Sequence, residues 1–215
     1  MKLGSFLTLE GIEGAGKSTA IKFLAKCLHK HNIDYILTRE PGGTLIAEKI
    51  RQIILNHHQE SMYSDTELLL YFAGRAQHFN QVIMPAINRG QWIICDRFTD
   101  ATYAYQGGGR GLTDERIAIL EQWVQGNVRP NYTLLFDVAV TIGLGRIKKK
   151  RNLDRIEIER EHFFEKVRNY YLERASREPE RFFIIDANKT LPEVFQQITK
   201  IIDQLSSYAN NPTVA

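Results

Sequence analysis

A glycine-rich run near the N-terminus has the spacing of a phosphate-binding loop. Residues 11–18 read Gly-Ile-Glu-Gly-Ala-Gly-Lys-Ser, and glycines at these positions let backbone N–H groups turn inward around phosphate oxygens. In such a loop the amine of Lys17 reaches the β and γ phosphates, and the hydroxyl of Ser18 can hold magnesium. The complete motif predicts a nucleoside triphosphate site. Its expected residues are Gly11, Ile12, Glu13, Gly14, Ala15, Gly16, Lys17, Ser18 and Thr19.

A second pair of charged residues, Asp96 and Arg97, closes the apolar run Trp-Ile-Ile-Cys at 92–95. The carboxylate can hold magnesium directly or through water, and the adjacent guanidinium can grip a phosphate with two parallel hydrogen bonds. A structural ion pair at a strand end would look the same in the sequence. Since the carboxyl ends of parallel strands share one edge of a sheet, the pair predicts a second phosphate site beside the first.

Three polar and aromatic segments could complete a nucleotide pocket at that edge, namely residues 39–44, 71–75 and 102–111. A planar base needs an aromatic face and a few oriented hydrogen bonds, and these segments carry suitable side chains. On a helix, Tyr71 and Phe72 would suit a buried core equally well. The glycines within 107–111 fit a loop that bends around a ligand, or a solvent-exposed turn.

Short apolar runs bounded by charge or glycine alternate with helix-length segments along the chain. This order predicts an α/β fold, with right-handed crossovers and a mostly parallel sheet covered on both faces. The expected strands are 5–9, 34–38, 91–95, 132–136 and 181–185. The expected helices are 17–31, 44–58, 65–89, 113–125, 141–150, 157–177 and 192–207.

Length and composition favour one compact domain, which we place at 1–209 with a flexible tail at 210–215. The 215 residues are 43% hydrophobic and 25% charged, which argues against a disordered, collagen-like or coiled-coil chain. The net charge of +3 is too small for a general nucleic-acid or membrane binder.

The sequence has neither a signal-peptide pattern nor an apolar run of the ~20 residues that span a bilayer. Cys27 and Cys95 lack the spacing of a zinc site or a disulfide framework. A cytoplasmic protein is therefore expected.

Five segments together resemble bacterial thymidylate kinase: 11–18, 39–44, 96–97, 104–111 and the run Leu-Asp-Arg-Ile-Glu at 153–157. The resemblance covers nearly the whole chain. It implies the three-layer P-loop NTPase fold, with a five-stranded parallel sheet, flanking helices and a mobile lid at about 146–157. It also implies that the protein uses ATP and Mg²⁺ to phosphorylate dTMP to dTDP in dTTP biosynthesis, as a homodimer.

The resemblance assigns roles at the phosphates and the sugar. Glu13 would lie near the acceptor nucleotide and the metal, and Arg97 would grip the dTMP phosphate. The ring of Tyr105 would crowd C2′ and so disfavour ribose. The expected metal ligands are Ser18, Asp96 and Glu13.

At the base, the resemblance implies that Arg75 and Thr102 form hydrogen bonds with thymine. The stacking aromatic falls on Tyr71, where relatives usually have Phe, so either Tyr71 or its neighbour Phe72 would stack on thymine. The full set expected to bind dTMP is Glu13, Glu40, Pro41, Tyr71, Phe72, Arg75, Arg97, Thr102, Tyr105 and Gln106.

Relatives with a catalytic arginine inside the phosphate-binding loop carry it at the position of Gly14. This chain therefore resembles the subgroup that supplies the charge from its lid, where Arg151 and Arg155 are the expected cations. A basic run at a helix end would also complement the helix dipole without any catalytic role. The expected catalytic residues are Lys17, Arg97, Arg151 and Arg155.

Two other functions are compatible with the sequence. A deoxynucleoside kinase needs a base to activate a hydroxyl, and Glu40 could provide it, although Asp96 and Arg97 suit an acceptor that already carries a phosphate. A non-catalytic P-loop module would instead bind ATP as an assembly signal, without transferring a phosphoryl group.

Overall fold

A five-stranded parallel sheet in the order β2-β3-β1-β4-β5 forms the centre of the protein. The structure is a computed structural model that describes residues 4–148 and 152–210. It confirms the predicted α/β fold with a parallel sheet. The strands are β1 Phe6–Glu10, β2 Tyr35–Arg39, β3 Trp92–Asp96, β4 Tyr132–Asp137 and β5 Phe182–Asp186.

Each strand runs one residue beyond its predicted end and stops on a charged side chain. Glu10 of β1 still pairs with Leu135 of β4, and Asp96 of β3 pairs with Leu9. The ladder continues there because backbone pairing does not require an apolar side chain at the last position. These ends form a row at the carboxyl edge of the sheet: Glu10, Arg39, Asp96, Asp137 and Asp186.

Helices follow the strands along the chain. They are α1 Lys17–Lys30, α2 Leu45–Leu55, α3 Ser64–His78, α4 Met84–Asn88, α5 Thr99–Thr102, α6 Asp114–Gln125, α7 Val140–Ile147, α8 Glu161–Arg177 and α9 Leu191–Asn210. A π-helical segment, Phe79–Ile83, joins α3 to α4, so the helix predicted at 65–89 is one continuous helical stretch. A second π-helical segment, Tyr103–Gly109, continues α5.

The second π-helical segment corrects the expectation of a loop or turn at the glycines within 107–111. Its glycines pack closely against α8: a Cβ on Gly108 would lie 2.7 Å from Cβ of Tyr170, and one on Gly109 would lie 2.5 Å from the ring of Phe163. The glycine run therefore serves helix packing, because only a residue without a side chain permits this approach.

Side chains of the central strand, β1, pack alternately against the two helical layers that cover the sheet. Leu7 and Leu9 of β1 belong to a cluster with Leu24 of α1 and Phe164 of α8. Phe6 lies in a separate cluster, formed with the first π-helical segment and α4. This period of two is what a sheet covered on both faces requires.

The predicted lid begins as helix and continues as an irregular segment. The helix α7 ends at Ile147, and residues 149–151 lie outside the described part. The chain then follows turns from 152 to 160, and α8 begins at Glu161 rather than at 157. We call residues 152–160 the lid segment.

At the C-terminus α9 ends at Asn210, the first residue of the predicted tail, and the rest of that tail lies outside the described residues. Among residues 4–148 and 152–210, no helix combines the length and apolar character needed to cross a membrane.

Candidate active site

The phosphate-binding loop lies between the end of β1 and the start of α1. Gly11, Gly14 and Gly16 all have positive φ, at 132°, 73° and 94°, which is the backbone region that glycine adopts at low cost. The amine of Lys17 donates to the carbonyl oxygens of Gly11 at 2.9 Å and Ile12 at 3.1 Å. The lysine charge is thus held inside the loop, at the positive end of α1.

A cavity opens in front of this loop. It includes the predicted triphosphate residues from Glu13 to Thr19, and we call it the phosphate-loop cavity. Burial, with a smaller contribution from Arg97, lowers the pKa of Lys17 to about 8. The lysine therefore stays mostly protonated at neutral pH and can offset phosphate charge.

A second cavity, the inner cavity, lies on the other side of Arg97. Nine of the ten residues expected to bind dTMP line it: Glu13, Glu40, Pro41, Tyr71, Arg75, Arg97, Thr102, Tyr105 and Gln106. Segments that are distant in the sequence thus meet at the carboxyl edge of the sheet, where an open α/β fold places its ligand site.

Arg97 is part of the wall that the two cavities share, together with Glu13, Glu40, Arg51 and Asp154. Its backbone is in the left-handed region, at φ 68°, which turns the side chain out of the β3 direction. The guanidinium donates to the Gly11 carbonyl at 2.8 Å and to Oε1 of Glu13 at 2.8 Å. It also lies 4.8 Å from the ring centre of Tyr105.

Two residues that the sequence did not indicate, Tyr171 and Glu10, form a chain of hydrogen bonds with Arg97. The hydroxyl of Tyr171 accepts from Nη1 of Arg97 at 3.1 Å and donates to Oε2 of Glu10 at 2.7 Å. The other Glu10 oxygen accepts from the backbone N–H of Phe98. Burial and the nearby Asp100 raise the pKa of Glu10 to about 7.

The oxygen donors near the phosphate loop fit a magnesium ion in part. Ser18 and Asp96 both line the phosphate-loop cavity, and Oδ1 of Asp96 is buried without a hydrogen-bond partner in the described part of the protein. Magnesium prefers hard oxygen ligands and is usually completed by phosphate and water. In line with this, residues 4–148 and 152–210 contain no group of three or more His, Cys, Asp or Glu arranged to hold a metal.

Glu13, the third expected metal ligand, has both carboxylate oxygens in hydrogen bonds with the protein. Its Oε1 accepts from Arg97, and its Oε2 accepts from the Tyr105 hydroxyl at 2.5 Å. Glu13 thus holds the arginine and the tyrosine in place here, and its role as a metal ligand stays a prediction.

Of the two candidate stacking aromatics, Tyr71 lines the inner cavity and Phe72 does not. Phe72 is 2% exposed and packs in the core with Leu68, Tyr103 and Ile117. Successive side chains on a helix point about 100° apart, and the rotation of α3 turns Tyr71 toward the cavity and Phe72 into the core. Of the two aromatics, Tyr71 therefore lies at the inner cavity, and the ring that stacks on the base stays a prediction.

The floor of the inner cavity is a buried chain of hydrogen bonds. Arg75 donates from Nε to Oε2 of Glu40 at 2.7 Å and from Nη2 to Oγ1 of Thr102 at 2.9 Å. The other Glu40 oxygen pairs with Nδ1 of His78 at 2.9 Å, and Nε2 of His78 lies 2.6 Å from Oγ1 of Thr38. Nη1 of Arg75 is buried and lacks a partner among the described residues, which leaves one donor for a ligand.

Arg155, expected to be catalytic, lines neither cavity. It donates from Nε to the carbonyl of Ile54 at 2.8 Å and from Nη2 to Glu67 at 2.5 Å, so the guanidinium is turned toward α2 and α3. In this arrangement Arg155 does not face the phosphate-loop cavity, and its catalytic role stays a prediction. The other lid candidate, Arg151, lies outside the described residues.

Three arginines that were not among the expected site residues also line the phosphate-loop cavity: Arg39, which lies in the predicted pocket segment 39–44, Arg146, which begins the predicted lid, and Arg51. Arg146 of α7 donates to the Gly14 carbonyl at 3.1 Å and to the Ala187 carbonyl at 3.2 Å. Its place at the start of the basic lid run is the one signal by which the sequence could have revealed it.

The helix α7 fills the space beside Gly14. A Cβ at Gly14 would overlap the carbonyl oxygen of Gly143 and lie 2.7 Å from its carbonyl carbon. No larger residue fits the loop at this position without displacing the α7 backbone. The absence of an arginine at Gly14 thus has a steric basis.

Comparison with known proteins agrees with this geometry. A family model described as thymidylate kinase matches residues 9–198. The chain is 54% identical over 205 residues to the thymidylate kinase of Vesicomyosocius okutanii subsp. Calyptogena okutanii (strain HA), covering 95% of this chain and 100% of the relative. It is 56% identical over 199 residues to that of Pseudomonas putida (strain GB-1), covering 93% and 95%.

A solved structure gives the same result. The crystal structure of thymidylate kinase from Ehrlichia chaffeensis is 32% identical in sequence, with a TM-score of 0.74, and the match covers 93% of this chain and 98% of that one. By sequence, by fold and by the two cavities that meet at Arg97, the chain belongs to the thymidylate kinase family.

Proposed function

We propose that this protein transfers the γ-phosphoryl group of ATP to dTMP, giving ADP and dTDP in the biosynthesis of dTTP. The observation that carries the proposal is the shared wall: Arg97 lines both the phosphate-loop cavity and the inner cavity. A guanidinium in that position can contact the acceptor phosphate and the transferring group together. In the proposal, one kinase domain spans 1–209 and its lid lies at about 146–157.

The inner cavity suits a pyrimidine deoxynucleotide. Tyr71 offers an aromatic face, and the unpaired Nη1 donor of Arg75 suits a carbonyl oxygen on the base. The ring of Tyr105, held by its hydroxyl against Glu13, would stand beside the sugar. In this assignment Arg97 and Glu13 lie at the phosphate end of the acceptor.

The reaction asks the protein mainly for alignment and positive charge. A nucleoside monophosphate is largely dianionic at neutral pH, since its second pKa is about 6, and its oxygen therefore needs no general base. Lys17 and Arg97 bring the two anions together. Ser18 and Asp96 would hold Mg²⁺, which would supply further charge neutralisation at the donor phosphates. Arg151 is our proposed lid cation.

The geometry disfavours the deoxynucleoside kinase alternative. Both oxygens of Glu40 are engaged, one by Arg75 and one by His78. A carboxylate held in this way orients the base-binding arginine and is poorly placed to take a proton from a hydroxyl.

An acceptor series with ATP and Mg²⁺ tests the proposed reaction. We expect ADP release to be fastest with dTMP and to be lower with dUMP by about ten- to a hundredfold, since one methyl group in an apolar pocket is worth ~1–3 kcal/mol. UMP should be poorer still because of Tyr105, and thymidine should be inert. Faster ADP release with thymidine than with dTMP would favour a deoxynucleoside kinase. A rate of ADP release that does not depend on the acceptor would favour an ATPase-like module.

The proposal includes a homodimer in the cytoplasm. Large apolar side chains are exposed on α2, α3 and α6, and α3 packs against both of the others. The exposed residues are Leu45, Ile46, Ile53, Leu69, Ile119 and Trp123. Exposed apolar residues on neighbouring helices are typical of a subunit interface. The free thiols of Cys27 and Cys95 suit a reducing compartment.

Replacing Trp123, which is 80% exposed on α6, with glutamate should convert the dimer to a monomer. The reason is that a charge buried at an interface without a partner opposes association. Light scattering after size exclusion would show the mass fall by half. Ile184→Glu, at a 53% exposed site on β5, serves as the control and should leave the mass unchanged. A Trp123→Glu protein that keeps the wild-type mass would remove α6 from the interface.

A further inference from the structure

A buried carboxylate on α3, Glu67, lies at the centre of a polar cluster beside the inner cavity. Its side chain is 1% exposed. It accepts hydrogen bonds from Nε2 of Gln106 at 2.7 Å, Nε of Arg110 at 3.2 Å and Nη2 of Arg155 at 2.5 Å. Burial alone would raise its pKa, but these three donors together lower the pKa of Glu67. The carboxylate is therefore ionised and holds all three groups by charge.

The three donors come from different parts of the site. Gln106 lies in the π-helical segment and lines the inner cavity. Arg110 directly follows that segment, and Arg155 belongs to the lid segment. Glu67 itself is four residues before Tyr71, one turn away on α3. The carboxylate is thus the point where α3, the π-helical segment and the lid segment meet.

Further contacts attach the lid segment at the same place. The backbone N–H of Arg155 donates to the Leu55 carbonyl at 3.0 Å, and its Nε donates to the Ile54 carbonyl at 2.8 Å. Arg110, besides contacting Glu67, donates to Glu159 at 2.5 Å. Two arginines therefore connect the lid segment to helical elements on either side.

Attachment at Arg155 determines where its two neighbours lie. Asp154 lines both cavities, and Ile156 is 4% exposed and lines the inner cavity. Ile156 packs in the main hydrophobic cluster, and its backbone N–H donates to Oδ1 of Asp154 at 2.9 Å. The two side chains are thus fixed to each other and share the backbone that Arg155 anchors. Release of Arg155 would open the inner cavity on the lid side.

We propose that Glu67 is a positioning residue that fastens the lid segment to the acceptor half of the site by holding Arg155 and Gln106 together. Glu67 touches neither substrate and acts through the wall that Asp154 and Ile156 complete. This reassigns Arg155 from direct catalysis to the attachment of the lid. The inference rests on the proposed function for its kinetic test and on the fold alone for its structural test.

The kinetic test compares Glu67→Gln, Arg155→Met and the double variant. Each single change should raise KM for dTMP about ten- to a hundredfold, the usual effect of losing a hydrogen bond to a charged group, and should change kcat less than threefold. The double variant should be no worse than the poorer single one, because both changes break the same attachment. Arg155→Met keeps the test valid if Glu67→Gln folds poorly, since Arg155 is partly exposed and Glu67 is not.

The structural test needs no substrate. Trypsin cleavage after Arg160, at the end of the lid segment, should be about tenfold faster in both single variants, because cleavage of a folded protein follows local opening. Asp65→Asn is a matched control: Asp65 lies on the same helix in an exposed pair with Arg116 and should change neither cleavage nor KM. Comparable thermal unfolding of the variants would exclude a general loss of stability.

Three results would overturn the proposal. One is a fall in kcat caused by Arg155→Met that has the same size in the wild-type protein and in Glu67→Gln. Arg155 would then be catalytic. Another is wild-type cleavage at Arg160 in both variants. The third is lower stability with unchanged KM and cleavage, which would leave Glu67 a purely structural residue. Faster cleavage in an enzyme that does not accept dTMP would instead support the attachment and refute the proposed function.

Discussion

Replacing Arg97 with alanine is expected to lower kcat/KM for dTMP by about thirtyfold to a few thousandfold. Removing one member of a buried, hydrogen-bonded charge pair costs about 2–5 kcal/mol, and each 1.36 kcal/mol of lost transition-state stabilisation is about tenfold in rate. Here the lost guanidinium contacts Glu13 and the Gly11 carbonyl and lines both cavities. The substitution would also leave the Glu13 carboxylate facing two sets of phosphates without its cation.

Steady-state kinetics with varied dTMP and saturating ATP would measure this effect. Arg97→Lys keeps the charge without the two-pronged geometry and should recover part of the activity. Arg116→Ala, which removes an exposed pair with Asp65, should behave like wild type. A loss of less than tenfold in Arg97→Ala would mean that the acceptor phosphate is held elsewhere.

Gly14→Ala is expected to raise KM for ATP and lower kcat, with a combined loss of about a hundredfold. The added Cβ would overlap the Gly143 carbonyl of α7, and the φ of 73° at this position disfavours any side chain. Either the phosphate loop or α7 must move, and a displacement of about 1 Å in an active site can cost about a hundredfold in rate. The hydrogen bond from Arg146 to the Gly14 carbonyl would be disturbed by the same movement.

Gly145→Ala supplies the matched control for this experiment. It lies on α7 two residues after Gly143, and a Cβ there would meet nothing within 4 Å, so activity should persist and α7 should become slightly more stable. ATP titrations of both variants, followed by ADP release, would separate the two outcomes. Wild-type KM for ATP in Gly14→Ala would show that α7 yields easily, and the steric account of the missing loop arginine would fail.

The sequence predicted those parts of the site that depend on local spacing. The phosphate loop and the Asp96-Arg97 pair follow apolar strands, and a strand that is followed directly by charged residues positions them at the carboxyl edge. The apolar pattern predicts strand ends that are one residue too short, because the last residue of each strand is charged. Glu10 and Asp96, for example, interrupt the apolar pattern but still pair in the backbone ladder.

Other features of the site depend on tertiary contacts that no local pattern encodes. His78 and Tyr171 reach the site from helices whose sequence reads as ordinary amphipathic helix. The choice between Tyr71 and Phe72 depends on the rotation of α3 about its axis. The orientation of Arg155 depends on Glu67, which is 88 residues away along the chain.

The lid candidates show the limit of motif reasoning most clearly. Arg151 and Arg155 have the same chemistry and neighbouring places in a basic run. For Arg155 the decisive fact is a buried carboxylate on a different helix, which offers a better partner than a distant phosphate. A family motif fixes the residue type at a position, whereas the direction of a long side chain is fixed by its neighbours.

The pairing of the cavity arginines with carboxylates has a consequence for selectivity among anions in a crowded cell. Arg97 faces Glu13, Arg75 faces Glu40 and Arg39 faces Glu48, so the field of each cation is largely cancelled a short distance away. Nucleic acids and unrelated phosphorylated metabolites therefore gain little attraction from these three arginines, whereas Arg51 and Arg146 donate to backbone carbonyls. Only a ligand shaped to enter and take over these contacts gains the full electrostatic benefit.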